Sequence, residues 1–248
     1  MSSIVNVAKN KPFSLSVETE EDVFPLYSKL FAEFLGTAIL VYIVCVSATQ
    51  GEVLHTAITA GFTLFCIINM FLHISGGHVN PAVTLAFGIL RKMALNEVVL
   101  YMLAQMMGAF FAGALLHVTV PLEEINGAAS SPHMVVVSSD QNKLTAMLQA
   151  TVIEAILTFL LILVILLALD DRPNLLGSLC VGCILIANII AGAPYTGAIM
   201  NPALSFGTTL ATQFFSSDNW DDLSTYHHIY WTGPFTGSAT ATVVYKLV

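Results

Sequence analysis

Six apolar runs separated by short polar breaks set the plan of the chain. They extend from about Lys29 to Thr49, Val53 to Ile74, Leu95 to Val118, Leu144 to Leu169, Leu175 to Ala191 and Tyr226 to Lys246. Each approaches the ~20 apolar residues that a helix needs to cross a hydrocarbon core of ~30 Å. The fourth is the clearest, closed by Asp170-Asp171-Arg172-Pro173. Residues 119–144 break the pattern with Pro121, Glu123, Glu124, Gly127 and Pro132 and read as a long connecting loop. The pattern predicts an all-α membrane protein with six transmembrane helices.

Two more apolar stretches are too short to cross. They begin at Gly76-Gly77-His78-Val79-Asn80-Pro81-Ala82 and Gly197-Ala198-Ile199-Met200-Asn201-Pro202-Ala203. An Asn at the cap followed by Pro is a strong helix start: the carboxamide oxygen accepts a helix N–H, and Pro has no N–H to leave unsatisfied. From Asn80 to Leu90, just before Arg91 and Lys92, a helix would rise ~15 Å. That is half of the membrane, so both boxes predict re-entrant half-helices.

The boxes also reveal an internal repeat. The offset between them, 201 − 80 = 121, carries Glu33 onto Glu154, Thr37 onto Thr158, Gly61 onto Gly182 and Gly76 onto Gly197. With three full spans in each half, the second half is inverted relative to the first, and the half-helices enter from opposite faces. Their N-termini then meet near the midplane, each carrying about +0.5 of an elementary charge from its helix dipole. Asn80 and Asn201 stand at the meeting point, and if each oxygen caps its own helix, each NH₂ remains as a donor toward a water chain. Gly76, Gly77, His78, Val79 and Gly197, Ala198, Ile199, Met200 would supply a ladder of backbone carbonyls. Irregular backbone at this depth is tolerated only where it lines a cavity or is buried in protein.

The paired Asn-Pro-Ala boxes, together with Ala32-Glu33-Phe34-Leu35-Gly36-Thr37 in the first span, resemble the aquaporin (major intrinsic protein) family from about Leu30 to Val248. The resemblance implies a passive channel with six spans, two half-helices and one pore per subunit, assembled as a homotetramer. It implies that Glu33 and Glu154 brace the re-entrant loops, and that the midplane donors and positive helix ends break a proton-conducting water chain. No cofactor is implied.

The resemblance also locates a selectivity filter. Members with strict water selectivity carry Arg directly after the second box, where this chain has Leu204. The other constriction positions fall on Ala60, Ile189 and Ala198, where water-selective members carry an aromatic residue and a His. This filter is expected to be wide and apolar; such a constriction can admit water and small uncharged solutes such as glycerol, urea, ammonia or hydrogen peroxide, yet an apolar ring can also dewet and gate. Ser205 and the pair Tyr230-Trp231 are nearer the water-channel pattern. Ala198 stands in place of the Cys that gives many relatives mercury sensitivity.

Composition narrows the alternatives. Of 248 residues 56% are hydrophobic and 10% charged, with a mean hydropathy of +0.80, which excludes an ordinary soluble domain. Lys9, Lys11, Lys29, Arg91, Lys92, Arg172 and Lys246 fall on the side of the termini and only Lys143 falls opposite, so both termini are expected to be cytoplasmic. The expected organisation is a tail at 1–27 and one channel domain at 28–248. Its repeats, about 28–120 and 145–248, are joined by an extracellular loop. No basic patch suits nucleic acid, and no nucleophile, base and metal constellation suits an enzyme. Lipid is the surrounding partner, in the plasma membrane or an intracellular membrane.

Cys45, Cys66, Cys180 and Cys183 read as small packing residues, and Cys180-x-x-Cys183 lacks the further ligands of a metal site. His73 reads as a core histidine, and His227 and His228 as a solvated outer rim rather than a pH-dependent gate. Two other classes compete: a poorly conducting junction protein using the outer loop, and a proton-coupled transporter using Glu33 or Glu154. No intramembrane Lys or Arg stands beside either carboxylate to support the second.

Overall fold

In the computed structural model, described for residues 24–125, 142–170, 175–215 and 226–248, the apolar runs fold as helices. They are α1 Leu26–Ala48, α2 Val53–Ser75, α3 Pro81–Ile89, α4 Leu95–Thr119, the single turn α5 Leu122–Ile125, α6 Lys143–Ile165, α7 Leu175–Thr196, α8 Pro202–Phe215 and α9 Ile229–Leu247. No strand occurs among the described residues. α5 is a short helical turn inside the stretch predicted to be loop, and residues 126–141 lie outside the described part.

Five of these helices, α1, α2, α4, α6 with its extension and α7, are long and apolar enough to cross a membrane. α9 has the length, at 19 residues, but Thr232, Thr236, Ser238, Thr240 and Thr242 weaken its apolar signal. Two ends differ from the sequence pattern. α6 runs on through a widened π-helical turn, Leu166–Asp170, and α7 continues past Ala191 to Thr196 with Pro194 inside it.

The repeat predicted from the 121-residue offset governs the packing. α1 packs on α2 and α4 in one half as α6 packs on α7 and α9 in the other, and each half-helix lies against the third long helix of the opposite half: α8 on α4, α3 on α9. The halves also meet where α2 crosses α7. There a Cβ on Gly61 would stand 2.5 Å from the Gly182 carbonyl oxygen, and one on Gly182 would stand 2.6 Å from that of Gly61. The crossing therefore requires glycine on both sides, the small-residue device of helices packed in lipid. The main apolar core lies between α1, α2, α3, α6 and α7 and surrounds the space where the half-helices meet.

Candidate functional site

Each half-helix is set by a loop folded around a buried carboxylate. Glu33 of α1 is fully buried. Its Oε1 accepts from Ser75 Oγ at 2.6 Å and the His78 N–H at 2.9 Å, and its Oε2 from the Val79 N–H and Gln105 Nε2, both at 2.7 Å. Glu154 of α6, also fully buried, repeats the arrangement. Thr196 Oγ1 at 2.6 Å and the Ile199 N–H at 3.0 Å donate to its Oε1, and the Met200 N–H donates to its Oε2 at 2.8 Å.

Successive amides converge on one carboxylate because the backbone alternates its hand: Val79, Ala198 and Met200 have φ of 45°, 52° and 52°, with Gly76, Gly77 and Gly197 also positive. Such alternation makes an anion-binding concavity of N–H groups. A β-branched Val in the left-handed region costs on the order of 1–3 kcal/mol, so the conformation persists only where its surroundings enforce it. The Glu33 bond to its N–H is one such restraint. Two phenols lock the same loops from outside, Tyr101 Oη donating to the Ser75 carbonyl at 3.1 Å and Tyr230 Oη to the Thr196 carbonyl at 2.8 Å.

The two Asn caps form as the motif predicts. Asn80 Oδ1 accepts from the Ala82 N–H at 2.8 Å and Asn201 Oδ1 from the Ala203 N–H at 3.0 Å. The amide nitrogens differ from the expectation that both hydrogens are left for the pore. Asn80 Nδ2 donates to the Met200 carbonyl at 3.0 Å, and Asn201 Nδ2 donates to the Val79 carbonyl at 2.9 Å. Each box is thereby tied to the other loop. One N–H per Asn remains, and one lone pair each of the Val79 and Met200 carbonyls is already taken.

A cavity of about 390 Å³ runs past this junction. It brings together Ala60, Ile189, Ala198 and Leu204, both Asn residues, and Gly76, Gly77, His78, Val79, Gly197, Ile199 and Met200 of the loops. Pro81, Ala82, Pro202 and Ala203 are buried behind it, in the first turns of α3 and α8. Glu33 and Glu154 do not line it; their oxygens are occupied by the loop donors. Elsewhere the wall is mostly aliphatic, and no Lys, Arg, Asp or Glu among the described residues lines it. His78 stacks on Phe87 with ring centroids 4.4 Å apart and turns Nδ1 to Thr84 Oγ1 at 3.2 Å.

Three other expectations change. His73 is exposed, because its side of the last turn of α2 is uncovered, and its ring meets Phe24 edge-on at 5.9 Å. His227 is half-buried and bonded on both ring nitrogens, whereas His228 is exposed as a rim residue should be. Of the cysteines only Cys45 is buried; Cys66, Cys180 and Cys183 lie exposed on the outside of the bundle.

Cys45 also lines the cavity, near Thr56 and Ala60, a position that the motifs did not indicate. A membrane-impermeant organomercurial is therefore expected to slow osmotic water flux through the wild-type protein. Cys45→Ser should be insensitive while keeping the three exposed thiols; block that persists in Cys45→Ser would place another thiol in the path.

The comparison with known families decides the class. The model of the family described as "Major intrinsic protein" matches residues 20–245. The chain belongs to the major intrinsic protein family. Its curated relatives in that family include the lens fiber major intrinsic protein of Lithobates pipiens, 34% identical over 91% of this chain and 82% of that protein. The human protein of the same name is 36% identical over 88% of this chain and 80% of its own length. Aquaporin-5 of Ovis aries is 34% identical over 87% of this chain and 78% of its own. Among solved structures, the aquaglyceroporin from Plasmodium falciparum superposes with a TM-score of 0.76 over 90% of this chain and 97% of that one, at 24% identity, which supports the shared fold. As a major intrinsic protein the chain is a multi-pass membrane channel, and it is not an enzyme.

Proposed function

We propose that this channel conducts water together with small uncharged solutes, and that its outer filter is formed by Ala60, Ile189, Ala198 and Leu204. The observation that carries the reading is the wall of the cavity: Ala60, Ile189, Ala198 and Leu204 line it with apolar side chains, and its polar groups are the loop backbone and the side chains of Asn80, Asn201, His78, Thr56 and Thr208. Water and small polyols find hydrogen-bond partners along that backbone, while a bare ion finds no charge to replace its hydration. The two helix N-termini and the free N–H of each Asn favour one orientation of water at the centre and oppose the passage of protons and cations.

Several features belong to the same reading: a homotetramer in lipid, cytoplasmic termini, and Glu33 and Glu154 as structural braces. The carboxylates accept three or four hydrogen bonds each and stand away from the cavity, which favours bracing over proton coupling. Leu204 favours a broader second reading, a neutral-solute channel with little preference for water.

Stopped-flow light scattering on proteoliposomes separates the two. Fast shrinkage under an impermeant osmolyte with slower but measurable re-swelling in glycerol or urea means that the apolar filter admits these solutes and still sorts by size; no re-swelling above empty liposomes limits the channel to water. Fast re-swelling in both solutes means the broader channel. Shrinkage no faster than in empty liposomes overturns both.

A further inference from the structure

His227 lies in the turn that leads into α9, before the helix begins, and joins α8 to α9 at the end of the pore that the proposed orientation places outside. Trp231 Nε1 donates to its Nδ1 at 3.0 Å. In the neutral imidazole the proton therefore sits on Nε2, which faces Ser205 Oγ at 3.2 Å and donates to it. Ser205 is fully buried and directly follows Leu204. Phe206 closes edge-on against both rings, 6.4 Å from His227 and 6.3 Å from Trp231. α8 packs mainly on α4, so this cluster is a tie from its first turn to α9.

We propose that His227 is a positioning residue for the filter: its neutral imidazole holds the first turn of α8, and with it Leu204, and protonation from the outer side releases that hold. The inference rests on the pore reading above. An imidazolium has two N–H donors and no acceptor, so a protonated Nδ1 would face the indole N–H of Trp231. The ring must then turn, and its bond to Ser205 turns with it.

Leu204 packs with the cluster of Cys45, Ala109, Ala112 and Ala203. On the cavity side Ala60 and Ala198 leave room. A released Leu204 therefore moves inward, and the passage narrows for the larger solutes first.

The surroundings favour the neutral form. Burial, the largest influence, holds the His227 pKa below its ordinary value of 6.5; a hydrogen bond to the Ser205 backbone acts the other way and His228 adds to the lowering. The lock is thus closed at neutral pH and opens as the pH falls below that value. On α6 the charged group at this end is Lys143, whose Nζ lies 5.2 Å from the centroid of the Tyr226 ring. α8 has no charged residue, and α9 carries only Lys246 at its far end. Asp218, Asp221 and Asp222 lie outside the described residues.

The test compares wild type with His227→Gln in proteoliposomes, reading glycerol and water flux while the outer pH is lowered from about 8 to about 5. The Gln amide can accept from Trp231 and donate to Ser205 without titrating. Wild-type glycerol flux should fall several-fold over that range and water flux less, and His227→Gln should stay flat near the neutral wild-type value. A flat wild-type profile, or a His227→Gln profile that falls like wild type, overturns the proposal.

A second readout does not depend on conduction. In a Trp220→Phe background Trp231 is the only tryptophan, and its emission should change with pH only when His227 is present. If no solute passes at any pH the pore reading fails. The emission then decides the lock: a transition lost in His227→Gln supports it, and its absence from the wild type overturns it.

Discussion

Leu204→Arg should lower glycerol and urea permeability about tenfold, a barrier increase of about 1.4 kcal/mol, with osmotic water permeability largely kept. The position lines the cavity with Ala60 and Ala198, whose small side chains leave room for a longer one. Arg would bring a fixed positive charge and five N–H donors. Water can pass such a group by accepting hydrogen bonds in single file, whereas glycerol meets a reduced cross-section. The variant must first be shown to be folded and monodisperse, after which re-swelling in glycerol and shrinkage in an impermeant osmolyte are compared with wild type. Glycerol and urea flux unchanged in a well-folded variant would remove Leu204 from the constriction.

Glu33→Ala should have the larger effect on stability. It leaves Ser75 Oγ, the His78 and Val79 N–H groups and Gln105 Nε2 without this acceptor in a buried loop. At about 1–3 kcal/mol for each unsatisfied donor, four such losses rival the whole stability of a typical fold, about 5–15 kcal/mol. Gln105 Nε2 has a second acceptor in Thr84 Oγ1 that softens the loss, but the Ser75 hydroxyl proton and the two amides are held by this carboxylate. Glu154→Ala removes three bonds rather than four and should be the milder of the pair. Size-exclusion profiles and thermal unfolding midpoints in detergent provide the check, with Glu33→Ala expected to lose the monodisperse peak. Both variants unfolding at the wild-type temperature would mean that the loops hold their shape without the carboxylates.

What could be read from the sequence was whatever obeyed one offset or one local rule. The six spans followed from apolar run length, and the half-helices from the Asn-Pro start. The 121-residue shift exposed Glu33 with Glu154, and it also relates Ser75 to Thr196, a pair that could have been found the same way. Tyr101 and Tyr230 make equivalent bonds but lie 230 − 101 = 129 apart, because the connections before the third helix of each repeat differ in length. A fixed offset therefore hides them. At that same shift Gln105 falls on Pro234, so its bond to Glu33 has no counterpart on Glu154.

Partners that are backbone atoms of the other half left no trace in residue types. The Asn amides showed only that donors were available, and nothing local said that a carbonyl 120 residues away would accept one of them. His227 and Cys45 were misjudged for a related reason. Both positions are ordinary for a helix end or an apolar span, and only the packing of α8 and α1 shows what faces them.

The crossed amide bonds also bear on how the protein is made. The first box cannot complete its hydrogen bonds until Met200 has left the ribosome, and the second finds its acceptor only in a loop inserted long before. A nascent chain ending after α4 therefore holds an open half-site in the bilayer, with Asn80 lacking its distant acceptor. The crossed pair can form only once Met200 and Asn201 have been made, so a chain interrupted before them leaves the first box and its loop without their distant partners.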